Sequence, residues 1–259
     1  MILDSVKQLY RYRWLVVELV LRNLRLRYRG SALGVFWTLL NPLLFMAVYT
    51  LVFAVFLKVG VPNYPLYLLC GLIPFTFFGS SLQQGALAII DGRFYVGRTL
   101  FPTVALVVVP VLTNAANFLI AMPFVVVLAI VLKVHLGWAV LLLPVVFLAQ
   151  LLVTQAVVTI LATINVFYRD VQELLAYAVS ALLFLTPIFY KVTSIPIQYR
   201  SIIALNPLAA LTDSYQRILY DGTMPDFSRL GYAFVVGILG LLVANAVFAR
   251  YREAFAQYL

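Results

Sequence analysis

Hydrophobic positions gather into six long uncharged runs, 35–57, 66–90, 103–132, 138–165, 174–190 and 230–249. A hydrocarbon core of roughly 30 Å is crossed by about 20 apolar residues in a helix, so each run predicts a membrane span. None contains Asp, Glu, Lys, Arg or His. The fifth run, at 17 residues, is at the short limit, with Glu173 at its edge. The third and fourth exceed the need and predict tilt or projection beyond the hydrocarbon. Pro42, Pro74, Pro110, Pro123, Pro144 and Pro187 fall inside these runs, where neighbouring helices can satisfy the carbonyls a proline frees.

The pattern ahead of the first run is different. Val17, Leu21, Leu24 and Tyr28 recur at helical spacing, and Glu18, Arg22, Arg25 and Arg29 repeat the period one position later. An apolar stripe beside a basic one predicts an amphipathic helix within residues 1–34, lying in the interface plane against anionic headgroups. Glu18 four residues before Arg22 is the favourable order for a helical ion pair. Gly30, Ser31 and Gly34 then let the chain turn into the bilayer. Between the fifth and sixth runs, residues 191–229 hold "SIIALNPLAAL", eleven apolar residues interrupted at Asn206–Pro207. That is too short to cross. A re-entrant hairpin and a short helix packed on the outer face both fit it.

Composition makes the membrane assignment firm. Mean hydropathy is +1.04 and only 10% of residues are charged, too little polar surface to cover a soluble chain of 259 residues. The net charge of +9 would point a soluble domain toward nucleic acid. Here the basic residues stand at the ends of apolar runs, so no nucleic-acid partner is expected. With the N-terminus inside and six crossings, twelve Lys and Arg fall in cytoplasmic segments and six outside. The positive-inside bias therefore places both termini in the cytoplasm. The expected fold is an all-α integral membrane protein with one permease domain over 1–259. A first span preceded by 34 residues is not expected to be a cleaved leader. Cys70 is single and cannot form an internal disulfide.

Little chemistry lies inside the spans. Without intramembrane ionisable residues a proton-driven carrier is disfavoured, while a carrier using backbone and hydroxyl ligands stays open. Gln83, Gln84, Asn114, Asn117, Gln150, Gln155 and Asn165 suit helix–helix hydrogen bonding, with pore lining as the alternative. His135 is the only histidine, and no cluster has metal-ligand spacing, so no metal is expected. Loop acids such as Asp91, Asp170, Asp213 and Asp226 would have to supply any transferase site. No GxxxxGK[ST] loop exists, because none of the four lysines follows a glycine.

Five segments, in order, resemble the membrane subunits of type-2 ABC exporters that move lipid-linked polysaccharides of the O-antigen and teichoic-acid kind. They are "LRYRGSALGVFWTLLNPLL" (26–44), "GRTLFP" (97–102), "FYRDVQELL" (167–175), "LTPIFY" (185–190) and "LNPLAALTDSYQRILYDG" (205–222). The family often carries two basic residues before its "FP", whereas here Arg98 stands alone, three residues before Phe101. The resemblance implies a homodimer in the bacterial inner membrane. It also implies two copies of a cytoplasmic ATPase subunit that bind the ATP and Mg, with no cofactor on this chain. It places the ATPase contact at Arg93, Arg98, Phe101 and Pro102, and a cytoplasmic anchor at Arg169 and Asp170. It assigns an outer gate to Asn206 and Pro207. The diphosphate head of the lipid carrier would meet Arg25, Arg27, Arg29, Leu33 and Gly34, where guanidiniums can form paired bonds to phosphate. The arginines could equally serve as topology signals alone. "PFTFFGSS" (74–81) and "FLTPIFY" (184–190) lie near plausible ends of a sugar path. A small-molecule or lipid exporter of the same fold and, more distantly, an intramembrane transferase remain as alternatives.

Overall fold

A computed structural model of the chain describes residues 8, 10–96 and 101–258, and every regular element among them is helical. The helices are α1 (Arg13–Tyr28), α2 (Trp37–Thr50), α3 (Tyr64–Asp91), α4 (Thr103–Val131), α5 (Leu143–Phe167), α6 (Val171–Leu185), α7 (Ile197–Ala204), α8 (Pro207–Gln216), α9 (Phe227–Tyr251) and the single turn α10 (Phe255–Tyr258). A 3₁₀ turn, Gly34–Phe36, leads into α2, and a π-helical turn, Leu51–Phe56, continues it. A second 3₁₀ turn, Trp138–Leu142, precedes α5, and a π-helical turn, Arg217–Asp221, extends α8.

Five helical stretches are long and apolar enough to cross a membrane: Gly34–Phe56, Tyr64–Asp91, Thr103–Val131, Trp138–Phe167 and Phe227–Tyr251. They match the first four and the sixth of the uncharged runs. The fifth run, 174–190, forms instead the 15-residue helix α6. At 1.5 Å per residue it is about 22 Å long, short of a hydrocarbon core of roughly 30 Å. It stops at Thr186, which is extended (φ −93°, ψ 135°) ahead of Pro187. Proline disfavours a helical residue before it, which sets the break. The chain then turns back into the core, where Ile188 and Phe189 are wholly buried.

Helix α3 is the central pillar, with 83% of its most apolar window buried, against 6% for the first span. Its glycines permit this closeness. A Cβ added at Gly85 would lie 2.3 Å from a Val158 methyl of α5, and one at Gly71 would lie 3.1 Å from Thr212 of α8. Helices α5 and α9 run side by side over Gly237 and Gly240, which meet Leu152, Val153 and Ala156. Small residues let membrane helices approach until dispersion contacts hold them.

The bundle has two distinct ends. Tyr220 donates to the Pro62 carbonyl at 2.7 Å, Tyr67 to Tyr190 at 2.8 Å and Tyr232 to Leu205 at 2.8 Å. Loops 57–63, 132–137 and 186–226 are thereby gathered at one end. At the other, Phe167 packs on Tyr251, Phe255 and Tyr258, and Asn165 Nδ2 donates to the Ala86 carbonyl near the end of α3. The segment entering α4 lies there too, because Gly92 faces Leu106.

Helix α1 packs on α4 through a face beside the expected apolar stripe. Val17 and Leu21 of that stripe are exposed on the chain, while Val16 packs with Ala105 and Val109 and is joined by Leu19, Val20 and Phe101. Farther along, Arg27 bonds Asn114 and Tyr28 bonds Asn117. Contacts therefore advance in step from Ala105 to Asn117 as α1 advances from Val16 to Tyr28. The helix follows the first half of α4. Apolar Val16, Leu19 and Val20 at its start and hydrogen-bonding Arg27 and Tyr28 at its end make the inner face, one residue out of phase with the simplest periodic pattern.

Candidate functional site

The chain between α1 and α2 turns where the sequence placed its glycines. Arg29 is extended (ψ 128°), Gly30 adopts φ 78°, and Gly34 opens the 3₁₀ turn at φ 49°. A positive φ is readily taken only without a Cβ. The Ser31 hydroxyl accepts from the Gly34 amide at 3.2 Å, holding the turn.

This turn presents the end of α1 to three helices. Arg27 Nη1 donates to Asn114 Oδ1 at 3.3 Å, and Asn114 Nδ2 donates to Gln84 Oε1 of α3 at 3.2 Å and to the Pro110 carbonyl at 3.0 Å. Tyr28 donates to Asn117 Oδ1 at 2.7 Å, and the Thr38 hydroxyl of α2 bonds the same phenol oxygen. A phenol has one proton to give, so the chain runs Thr38 to Tyr28 to Asn117. Asn117 Nδ2 is buried and has no partner among the described residues.

An open cleft of about 90 Å³ sits at this junction between α1, α2, α3 and α4. Eight of its fourteen lining residues are polar, and Arg27 is the one that carries a charge. A second space, lined by Arg22, Asn23, Gln84, Asp91, Tyr95 and Phe101 among others, continues along α1 toward its first turns. A third, more open space bounded by Asn23, Arg27, Gln84 and Thr113 among others shares lining residues with both. The result is a polar groove under α1, from the loop after α3 to the middle of α4.

The expected head-binding residues divide. Arg25, Arg27 and Arg29 are all exposed, and of the three Arg27 lines the groove. Leu33 is exposed too, while Gly34 is half-buried. Arg93 lies over the Phe94 ring at 5.2 Å. Arg98 falls outside the described residues. Phe101 stacks on Tyr95 at 4.8 Å between centroids and joins the Val16 cluster, and Pro102 is buried at the start of α4. Arg169 and Asp170 occupy the exposed turn between α5 and α6.

Asn206 caps α8: its Oδ1 accepts from the Leu208 amide at 2.9 Å, while its Nδ2 donates to Thr186 Oγ1 at 3.2 Å. Pro207 takes the first helical position, where its missing N–H costs nothing. Helix α8 is buried nearly throughout, whereas α7 is mostly exposed. Tyr215 donates to Gln150 Oε1 at 2.8 Å, and Gln150 Nε2 donates to the Pro74 carbonyl at 2.7 Å. Pro74 lies ten residues into α3, about 15 Å along it, so the hairpin is set well into the bundle. At its far end, burial pushes the Asp221 carboxyl above the usual range, while Lys191 and Arg217 pull it back.

The polar residues of the spans also divide. Gln150, Asn165 and Asn114 each bond between helices, as expected of helix–helix contacts. Gln155 bonds only Thr159 of its own helix. Phe75, Phe77 and Phe78 of "PFTFFGSS" are packed in the core, which removes them from any path in this chain, whereas Phe184 is exposed. Thr76 and Ser80, within the 74–81 segment expected near an end of a sugar path, line the cleft together with Trp37 and Asn41, which sequence reasoning did not single out. Thr76 and Ser80 stand four residues apart on one helical face, a signal available in the spacing. Among the described residues no three His, Cys, Asp or Glu side chains gather where they could hold a metal ion.

Comparison with known proteins places this arrangement. A family profile described as ABC-2 type transporter matches residues 15–220. The O-antigen export system permease protein RfbA of Myxococcus xanthus is 40% identical over 97% of this chain and 98% of its own length. RfbA of Klebsiella pneumoniae is 30% identical over 98% of this chain and all of its own. The polysialic acid transport protein KpsM of Escherichia coli is 25% identical over 92% of this chain and 94% of its own.

Proposed function

The chain belongs to the ABC-2 type transporter permeases, and on that premise we propose that it forms the wall of an ATP-driven exporter of lipid-linked polysaccharide. Two copies face each other across the bacterial inner membrane, and two copies of a separate cytoplasmic ATPase subunit supply ATP hydrolysis with Mg. The carrying observation is the similarity, over nearly the full length of both chains, to permeases named for O-antigen export. That similarity favours a glycan over a small drug as cargo.

Loops 91–102 and 167–170 and both termini face the cytoplasm in this scheme, and the α7–α8 hairpin is a re-entrant element of the outer half. The burial of α8 and its reach to Pro74 support that placement. The α6 segment with the turn behind it completes a sixth passage.

Mechanism follows from what is joined to what. The ATPase subunit pushes on the 91–102 loop at Arg93, Arg98, Phe101 and Pro102. Phe101 shares a cluster with Val16, so displacement of the loop moves α1. At the other end of α1, Arg27 and Tyr28 are bonded to α4 and, through Thr38, to α2. A push at the ATPase contact therefore reaches the basic turn where the diphosphate head is held by Arg25, Arg27 and Arg29, with Leu33 and Gly34 shaping the turn. Charge-assisted, paired hydrogen bonds suit guanidinium to phosphate. The first span is almost unburied, which leaves its face for the second copy and for the sugar path.

The test is the double substitution Arg25→Ala/Arg29→Ala in the permease–ATPase complex. Glycolipid-stimulated ATP hydrolysis is expected to fall about a hundredfold or more, since hydrogen bonds to charged groups contribute about 1.5–3 kcal/mol each. Full stimulation and export with normal insertion would reduce these arginines to topology signals.

A further inference from the structure

We propose that the cleft beneath Tyr28 is a binding site for the sugar ring attached directly to the lipid carrier's phosphates, distinct in chemistry from the arginine turn that holds the phosphates. The proposal rests on the exporter function above and adds a second point of recognition to it.

Eight of the fourteen residues lining the cleft are polar and the rest are apolar. It has the wrong chemistry for a second anion, because Arg27 is its only charged residue and sits where the cleft meets the rest of the groove. What it offers is neutral hydrogen bonding: the amides of Asn41 and Asn117 and the hydroxyl of Ser80, with the partly exposed indole of Trp37 at the edge. Amides that donate and accept, next to an aromatic face, match a sugar's hydroxyls and its C–H face.

The decisive atom is Asn117 Nδ2. The residue is 9% exposed, lines the cleft, and has its carbonyl oxygen engaged by Tyr28, while its two N–H donors meet no acceptor among the described residues. An unmet buried donor is costly to keep, and a turn of the Asn117 amide toward the cleft would let a sugar hydroxyl accept from it. Arg27 spends one donor on Asn114, and a guanidinium carries five. The remaining donors can bond a phosphate just outside. Ring and phosphate are adjacent in the ligand, and Asn117 and Arg27 line the same cleft.

The experiment compares two probes on the permease–ATPase complex in phosphatidylcholine nanodiscs: a polyprenyl diphosphate bearing one sugar, and the same polyprenyl diphosphate without it. Asn117→Ala and Ser80→Ala are each expected to weaken the glycosylated probe about five- to tenfold, the loss typical of one neutral hydrogen bond, and to leave the sugar-free probe unchanged. Arg27→Ala is expected to weaken both probes alike. Equal losses for both probes in the Asn117 and Ser80 variants, or no loss in either, would overturn the sugar site while sparing the phosphate site. Competition by phosphatidylglycerol as effective as the glycosylated probe would also overturn it, making the cleft a phospholipid-headgroup site. Should Asn117→Ala fail to insert, Ser80→Ala carries the same comparison. A wild-type complex that binds neither probe and shows no glycolipid-stimulated ATP hydrolysis would instead sink the exporter function itself.

Discussion

Two polar clusters inside the bundle have opposite characters. Around Gln150 every bond is closed: the amide nitrogen bonds Pro74 on α3, the oxygen accepts from Tyr215 on α8, and both side chains are buried. Around Asn117 the bonding is unfinished, and an open cleft adjoins it. The first ties α3, α5 and α8 into one block. The second leaves a buried donor unmet beside the space between α1 and its neighbours. Buried polar groups in membranes serve as structure where they satisfy each other and become candidates for function where they do not.

The strongest way to break the closed half is steric. Gly222 holds φ +66°, and a Cβ there would lie 2.3 Å from the His135 carbonyl oxygen. Gly222→Ala adds a left-handed backbone penalty of about 1–2 kcal/mol to overpacking of about 1–3 kcal/mol. A large drop in the thermal midpoint of the solubilised permease is expected, measured by loss of monodisperse protein after heating. A midpoint within a degree or two of wild type would mean that the hairpin end is not fixed on the loop before α5.

A milder break removes the hub. Gln150→Leu leaves the Tyr215 hydroxyl without its acceptor in a buried site, a cost of about 1–3 kcal/mol, toward the lower end because membrane helices find alternative partners. Tyr215→Phe in the same background is expected to recover part of that loss, since it removes the stranded hydroxyl. Additive losses in thermal midpoint would show that the two side chains do not act together.

The sequence made the closed half partly legible. Long uncharged runs located five spans to within a few residues at each end, because hydropathy and length dictate a crossing helix almost alone. The fifth run, 174–190, was harder. Its apolar residues continue through Thr186 to Tyr190, and composition gives no sign that they leave the helix and fold back on α3; the mark is Pro187. The Asn206–Pro207 break did signal the start of α8, since a capping Asn and a first-turn Pro are local chemistry. For the open half, the arginines and glycines of the turn were visible, but the cleft was not. Its walls come from four separate helices, and the inner face of α1 depends on which neighbour it meets, so Val16 replaced Val17 and Arg27 turned inward among three nearby arginines. Asn41 and Ser80 have no distinguishing sequence context until α1 is laid beside them.

The smallest perturbation tests whether the open half is mechanical as well as recognitive. Tyr28→Phe removes one hydroxyl, and with it the link from Thr38 on α2 through α1 to Asn117 on α4. The phenol is only part-buried, so the loss of stability is expected to stay within about 1 kcal/mol, and the thermal midpoint should barely move. If the link couples α1 to the first span, translocation of labelled glycolipid in vesicles should nevertheless fall several-fold while basal ATP hydrolysis by the complex is kept. The contrast with Gln150→Leu is the point: a structural hub lowers stability first and transport with it, whereas a coupling contact lowers transport per ATP at nearly constant stability. Transport and stability falling in proportion for Tyr28→Phe would place this cluster with the closed one and leave the unmet amide of Asn117 as an isolated feature.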